Sequence, residues 1–181
     1  MKSIKILSLV AAVILVITLF FIFIQPDRGH HEEITVIEAP VADVFNQLNS
    51  FKDYTEWSPW AAMDDGAKYT YEGPESGVGA TLRWDGKSIG KGSQVIEESI
   101  PNKSIKTKID FKDLNGIFYT QFILEPEGNG TKLTWTYDGE NEGFAGKFKW
   151  LFMKGPLDTQ FTDGLEDFKY FVQRKVAASK N

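Results

Sequence analysis

The sequence predicts an α+β domain that follows a single membrane-spanning helix. Three observations lead to this prediction. Residues Ile6–Ile24 form an apolar run without any charged side chain. From Lys68 to Gly139, apolar residues alternate with polar ones, which is the period of antiparallel strands with one face in water. After Gly139 the apolar residues return to helical spacing, as at Phe161 and Leu165.

The apolar run is long enough to cross a bilayer, because a helix rises about 1.5 Å per residue and the hydrocarbon core is about 30 Å thick. The alternative is a cleaved signal sequence, whose apolar part is usually about 7–15 residues and ends in small residues. This run ends in Phe20–Pro26 without a pair of small residues, which favours an uncleaved anchor at residues 6–24. Lys2 and Lys5 precede it and place residues 1–5 in the cytoplasm. We therefore expect a single-pass membrane protein whose domain lies on the periplasmic or extracellular side.

The charge balance and the absence of cysteine exclude several classes of function. The chain has 20 basic and 25 acidic residues, and only Lys2 and Lys5 precede the apolar run, so the remainder carries 18 basic and 25 acidic residues. A net acidic domain lacks the basic surface that nucleic acid requires. Without cysteine, the protein has no disulfide, no thiol nucleophile and no cysteine metal site.

The first part of the domain combines one strand with two short helices. Residues 25–33 are polar and predict a linker, which reaches about 30 Å at most when extended. Ile34–Ile37 predicts a strand that opens the domain, which we bound at residues 34–178. Pro40 then begins a helix whose apolar residues, such as Val44 and Leu48, share one face. Phe51–Trp57 predicts a second short helix.

Six strands and a long helix follow. Turn signals, including Asn115-Gly116, separate the strands. The clearest strand places Ile105, Thr107, Ile109 and Phe111 on one face and charged residues between them. The helix is predicted over about Leu157–Val176, with its apolar face toward the sheet.

This element order and several short motifs resemble the helix-grip domain of the START/Bet v 1-like (SRPBCC) superfamily, nearest to its polyketide cyclase/dehydrase branch. The resemblance covers about Ile34–Val176. The motifs are Ile37-Glu38-Ala39-Pro40 before Val44-Phe45, Trp57-Ser58-Pro59-Trp60, Gly77-Val78-Gly79-Ala80 with Trp84, Gly90-Lys91-Gly92, Gly130-Thr131, Thr134-Trp135 and Gly164-Leu165. The resemblance implies a curved antiparallel sheet wrapped around the C-terminal helix, with an apolar cavity between them. It does not imply one activity.

Large aromatic side chains with polar tips suit the wall of such a cavity. We expect these residues, with apolar residues that face inward from the strands and the last helix, to bind a ligand. The expected ligand-binding residues are Trp57, Trp60, Tyr71, Trp84, Ile109, Phe111, Phe122, Trp135, Tyr137, Phe161, Leu165 and Phe168.

No set of catalytic residues is visible. His30 and His31 are read as part of the solvated linker, and Asp64-Asp65 as a solvated turn. Tyr71, Tyr137 and Arg83 are weak candidates for acid–base chemistry. We expect no cofactor and no metal.

Residues Phe144–Lys154, which we call the basic aromatic segment, contain three lysines and four aromatic residues, and they contain no acidic residue. This composition is typical of a helix at a membrane interface, and an equally good alternative is a lid packed on the domain's own core. The expected membrane contacts are Phe144, Lys147, Phe148, Lys149 and Trp150.

Three functions remain open from the sequence. The first is a membrane-tethered binding module for a hydrophobic small molecule or lipid. The second is a cyclase- or dehydratase-type enzyme, which would need a buried group with a shifted pKa. The third is an interaction module whose cavity has collapsed. A cavity filled by its own aromatics favours the third, and a roomy one with a polar cluster favours the second.

Overall fold

The fold is an antiparallel sheet that curves around a long C-terminal helix. The computed structural model describes residues 2–112, 118–140 and 143–179, so the predicted Asn115-Gly116 turn lies outside the described residues. The elements are α1 (Lys2–Phe23), β1 (Arg28–Ile37), α2 (Val41–Leu48), a 3₁₀ turn (Tyr54–Glu56), α3 (Pro59–Ala62), β2 (Lys68–Glu72), β3 (Thr81–Asp85), β4 (Lys91–Ile100), β5 (Ser104–Phe111), β6 (Phe118–Glu127), β7 (Gly130–Glu140) and α4 (Gly143–Ser179).

The seven strands form one sheet in the order β1-β7-β6-β5-β4-β3-β2, and every neighbouring pair is antiparallel. The first strand therefore pairs with the last, which brings the end of α1 next to the beginning of α4. A bulge between Ile96 and Glu98 interrupts the register of β4 with β5, and bulges add bend and twist to a sheet. The predicted α+β helix-grip fold is confirmed.

Strand β1 begins at Arg28, six residues before the predicted Ile34. Residues 28–33 are therefore part of the sheet and not of a linker, and Arg28 pairs with Glu140 of β7. Polarity concealed this strand, since its inward positions include His31 and Glu33 in place of apolar residues. The side chain of His31 reaches a partner on α4, which makes a polar inner face tolerable.

Helix α4 is also longer than predicted. It begins at Gly143 and continues through Gly155-Pro156, so the basic aromatic segment and the predicted C-terminal helix are one element. A proline inside a helix removes one backbone hydrogen bond, which is why the sequence suggested a boundary there. The predicted apolar face is correct, because Phe161, Leu165 and Phe168 are all buried.

Helix α1 is exposed along most of its length, and its C-terminal end packs against α4. Ile22 is only 2% exposed there. Residues Ile4–Phe23 are long and apolar enough to cross a membrane, judged by length and composition. Among the described residues, this is the one helix with that property.

Candidate functional site

A cavity of about 360 Å³ lies between the inner face of the sheet and α4. Cavities that hold small molecules usually measure about 300–1,000 Å³, so this one is large enough for a ligand of several rings. Large side chains from the strands, from the region before β2 and from α4 line it. The predicted residues among them are Trp57, Trp60, Trp84, Ile109, Phe111, Phe122, Trp135, Tyr137 and Phe161.

The structure does not bring Tyr71, Leu165 or Phe168 to this cavity. Tyr71 is 48% exposed and lines a separate surface groove at the edge strand β2. Leu165 and Phe168 lie further along α4 in the solid part of the core. Phe168 packs there against the ring of Trp57, at a centroid distance of 4.8 Å.

The sequence analysis missed several lining residues. Strand alternation contained the signal for Thr107 and Thr120, which share the inward face with Ile109 and Phe122. Periodicity also marked Leu48 on α2 and Tyr69 on β2 as inward-facing. The others come from loops, from β4 and from the middle of α4. The missed lining residues are Leu48, Ser50, Phe51, Tyr54, Tyr69, Ile89, Gln94, Thr107, Thr120, Phe152, Met153, Pro156, Leu157 and Gln160.

A row of three buried polar side chains crosses neighbouring strands on the cavity floor. Gln94 on β4 donates from Nε2 to Oγ1 of Thr107 on β5, over 2.8 Å. Oγ1 of Thr107 lies 2.8 Å from Oγ1 of Thr120 on β6. All three side chains are buried, so their hydrogen bonds form in surroundings where polar interactions are strong. We call Gln94, Thr107 and Thr120 the polar row.

Other polar groups around the cavity are buried without a partner. The indole N–H groups of Trp57 and Trp135 and the hydroxyl of Tyr69 have no hydrogen bond within the part of the chain that the structure describes. Burial raises the pKa of the Tyr137 hydroxyl above its ordinary value, and likewise that of Tyr54. A tyrosine is already neutral at physiological pH, and burial makes ionisation of these two hydroxyls still less favourable.

Two other residues that can take part in acid–base chemistry, Arg83 and His31, do not line the cavity. Arg83 is exposed and pairs with Glu72 at 2.9 Å. His31 lies between β1 and α4, where its Nδ1 is 2.9 Å from Oδ1 of Asp158 and its ring packs edge-on against Phe161. In residues 2–112, 118–140 and 143–179, no cluster of three histidine, cysteine or acidic side chains could hold a metal ion.

The basic aromatic segment forms the first part of α4. Phe144, Phe148 and Phe152 are exposed and pack on one another, with ring centroids 6.4 and 5.0 Å apart. Phe152 and Met153 also line the cavity, so the cavity approaches the surface at this segment.

One predicted membrane contact is wrong. Trp150 is only 4% exposed, because it points into the domain and stacks on Tyr137, with ring centroids 6.4 Å apart. Lys149 is exposed. Lys147 is mostly buried against the end of α1: its Nζ lies 3.0 Å from Oδ1 of Asp27 and 3.3 Å from the backbone oxygen of Phe23.

Solved structures with the same fold come from bacteria and plants. A protein from Chromobacterium violaceum is 17% identical over 79% of this chain and 96% of that chain, with a TM-score of 0.56. Truncated norcoclaurine synthase from Thalictrum flavum is 15% identical over 80% and 93%, with a TM-score of 0.60. The di-domain ARO/CYC StfQ from the steffimycin biosynthetic pathway is 14% identical over 83% of this chain and 52% of that chain, with a TM-score of 0.64. At these identities the likeness shows the fold alone.

The family comparison covers most of the soluble part. No functionally curated protein matches the chain. Residues 30–171 match the family model described as polyketide cyclase/dehydrase and lipid transport, and this match covers most of β1, the other six strands and most of α4. Together with the helix-grip fold and its apolar cavity, the match shows that the chain belongs to the polyketide cyclase/dehydrase and lipid transport family, within the Bet v 1-like SRPBCC superfamily.

Proposed function

We propose that the protein is a membrane-tethered binding module for a hydrophobic small molecule or lipid. The observation that carries the proposal is the aromatic-lined cavity of about 360 Å³ between the sheet and α4. Filling an apolar cavity of this size with an apolar ligand is favourable, because it removes the apolar surface of both from water.

The lining of the cavity favours binding over catalysis. Among the described residues it contains no acidic side chain, no histidine, no lysine and no arginine. Its tyrosines are held in the neutral form by burial, so the site lacks a base for a cyclisation or a dehydration. The open volume also argues against an interaction module with a collapsed cavity.

The tether is the second part of the proposal. We propose that residues 1–5 are cytoplasmic, that residues 6–24 cross the membrane and that the domain lies on the outer side, as Lys2 and Lys5 indicate. The domain then begins at Arg28, since β1 includes residues 28–33 of the predicted linker. Only residues 24–27 separate α1 from β1, so the domain must lie close to the bilayer.

The contact between α1 and α4 supports a membrane-facing cavity mouth. Lys147 joins the first part of α4 to the end of α1. This contact supports a position of the exposed Phe144, Phe148 and Phe152 beside the membrane surface. Exposed aromatic rings insert favourably at the headgroup boundary, and Lys149 would gain about 1 kcal/mol near anionic lipids. A ligand that enters beside Phe152 and Met153 would pass between bilayer and cavity without crossing water.

Dye binding tests the cavity. In nanodiscs that hold the full chain, 1-aminoanthracene should show saturable binding with one site per chain, above the background of empty nanodiscs. Ile109→Trp adds a large ring inside the cavity and should abolish the saturable part. Ile34→Trp, which places the same ring on the exposed outer face of β1, should leave it intact. Absence of saturable binding in the unsubstituted protein would contradict the proposal.

Fluorescent labels test the orientation on the membrane. The chain has no cysteine, so single-cysteine variants can be labelled without further changes. Labels at Phe144→Cys and Phe148→Cys should be quenched by spin-labelled lipids and protected from aqueous iodide. A label at Tyr170→Cys, an exposed aromatic position at the other end of α4, should respond in the opposite way. Equal responses of the three labels would show that this face does not contact lipid. Self-quenching of the labels that grows with protein density would instead show that a second copy of the chain covers this face.

A further inference from the structure

The polar row leaves one hydrogen-bond donor unused. Two hydroxyl hydrogens belong to Thr107 and Thr120, and the bond between these residues consumes one of them. Oγ1 of Thr107 already accepts from Nε2 of Gln94, and the amide nitrogen of Gln94 cannot accept in return. Within the described part of the chain, the second hydroxyl hydrogen therefore has no acceptor.

Two unpaired polar groups in the cavity wall are also donors without an acceptor. The indole N–H groups of Trp57 and Trp135 are donors only, and both residues are more than nine-tenths buried. The Tyr69 hydroxyl is a third unpaired group. A buried donor without an acceptor is costly, so an acceptor brought in by a ligand would recover stabilisation here. Within the described residues, the cavity lining thus offers donors and contains no lysine, arginine or histidine.

We infer that the ligand is a neutral, largely apolar molecule that carries an acceptor oxygen, such as a ketone or an ester carbonyl, and that the polar row orients this oxygen. The inference rests on the proposed binding function and narrows its ligand class. A free carboxylate is disfavoured, since burying an anion without a cationic partner is costly. A plain hydrocarbon is accepted less well than its carbonyl analogue, since it leaves the donors unpaired.

Matched ring compounds test this inference. Fluorene and 9-fluorenone share one ring frame and differ in the carbonyl, and fluorene-9-carboxylic acid adds an anion. Each competes with 1-aminoanthracene for the full chain in nanodiscs. Each compound also partitions into the lipid, but to the same extent for every variant. A difference between variants in the fluorenone-to-fluorene affinity ratio therefore comes from the protein.

The variant Gln94→Met/Thr107→Val/Thr120→Val replaces the whole row by apolar groups of similar shape, an exchange that folded proteins can tolerate because no partner is left unpaired. It should lower the fluorenone-to-fluorene ratio by about three- to tenfold, the worth of one net hydrogen bond. Thr107→Ser/Thr120→Ser keeps both hydroxyls and should retain the ratio. Thr134→Val/Thr136→Val changes two buried threonines on the other face of the sheet and serves as the control.

The outcomes separate the inference from the proposed function. An unchanged ratio in the row variant, or a carboxylic acid that binds as tightly as fluorenone, would overturn the inference while leaving the binding function in place. Failure of 1-aminoanthracene and of all three compounds to bind the unsubstituted protein would overturn both. A near-UV circular dichroism spectrum like that of the unsubstituted protein shows that the row variant retains its packed core.

Discussion

At the residue scale, His31 shows how burial changes the role of a side chain. The sequence suggested a solvated residue, yet the structure leaves only 10% of its side chain exposed, between Asp158 and the ring of Phe161. His31→Ala should therefore lower the free energy of unfolding by about 1–3 kcal/mol, through the lost contact with Asp158 and the lost packing against Phe161. His30→Ala removes an exposed neighbour that pairs with Asp138, and it should change stability by less than about 0.5 kcal/mol. Thermal unfolding of the two variants measures the difference, and equal effects would contradict the placement of His31.

Asp64 is a second residue whose role differs from the predicted solvated turn. Its Oδ2 accepts a hydrogen bond from the backbone N–H of Ser88 over 2.7 Å, next to Ile89 in the cavity wall. This bond, with others from the same loop, holds the pKa of Asp64 below its ordinary value of 3.8. The stabilisation is therefore complete above the ordinary pKa and is lost as the pH falls through the lower pKa of the folded state.

Hydrogen exchange in the loop of residues 86–90 measures this contact. At neutral pH, Asp64→Asn should increase exchange there, and Asp65→Asn, which alters the exposed neighbour, should not. Exchange of the unsubstituted loop, corrected for the intrinsic rate, should rise once the pH falls below about 3.8. Protection that Asp64→Asn does not alter would show that the loop is held by other contacts.

At the element scale, the fit between α4 and the sheet depends on its buried aromatic face. Phe168 is almost fully buried, and it packs against Trp57 in the solid part of the core. Since Phe168 is almost fully buried and is not among the residues that line the cavity, Phe168→Ala should cost about 3–5 kcal/mol of unfolding free energy. Tyr170→Ala, two residues away and 69% exposed, should stay within about 0.5 kcal/mol. Denaturant unfolding provides the comparison, and a small effect at Phe168 would mean that the face is wrongly assigned.

The bounds of β1 and α4 were both predicted wrongly, because the prediction rested on local sequence patterns. Periodicity detects an apolar face, and β1 lacks one because His31 and Glu33 occupy inward positions. Its strand conformation comes instead from pairing with β7, which no local pattern records. In α4, Pro156 suggested a boundary, but the packing of the helix along β1 and α1 outweighs one lost backbone hydrogen bond. In the strands between Lys68 and Glu140, apolar and polar residues alternate, so these strands could be predicted from the sequence.

At the scale of the whole molecule, the sequence predicted the existence of a cavity but did not predict its limits well. The aromatic residues of the wall were identifiable because bulk and strand alternation mark them. The cavity ends before Tyr71, which lines a separate groove at the edge strand β2 although it shares a strand face with Tyr69. The polar row depends on register between three strands, since Gln94 meets Thr107 only in the folded sheet. Long-range register is not encoded in any single window of sequence.

The anchor decides whether the whole molecule works at a membrane. Helix α1 exposes apolar side chains all round, a surface that is stable in lipid and costly in water. The full-length protein should therefore remain in the membrane pellet after a carbonate wash. Val10→Lys/Val13→Lys adds two charges near the middle of the helix, at about 2.5–3.5 kcal/mol each on the insertion scale, and should shift the protein toward the soluble fraction. A matched pair of charges at the exposed positions Ile34→Lys/Val36→Lys on β1 should leave it in the pellet. Recovery of the unsubstituted protein in the wash would show that α1 does not hold the domain in the bilayer, and the route from lipid to cavity beside Phe152 would then have no physical basis.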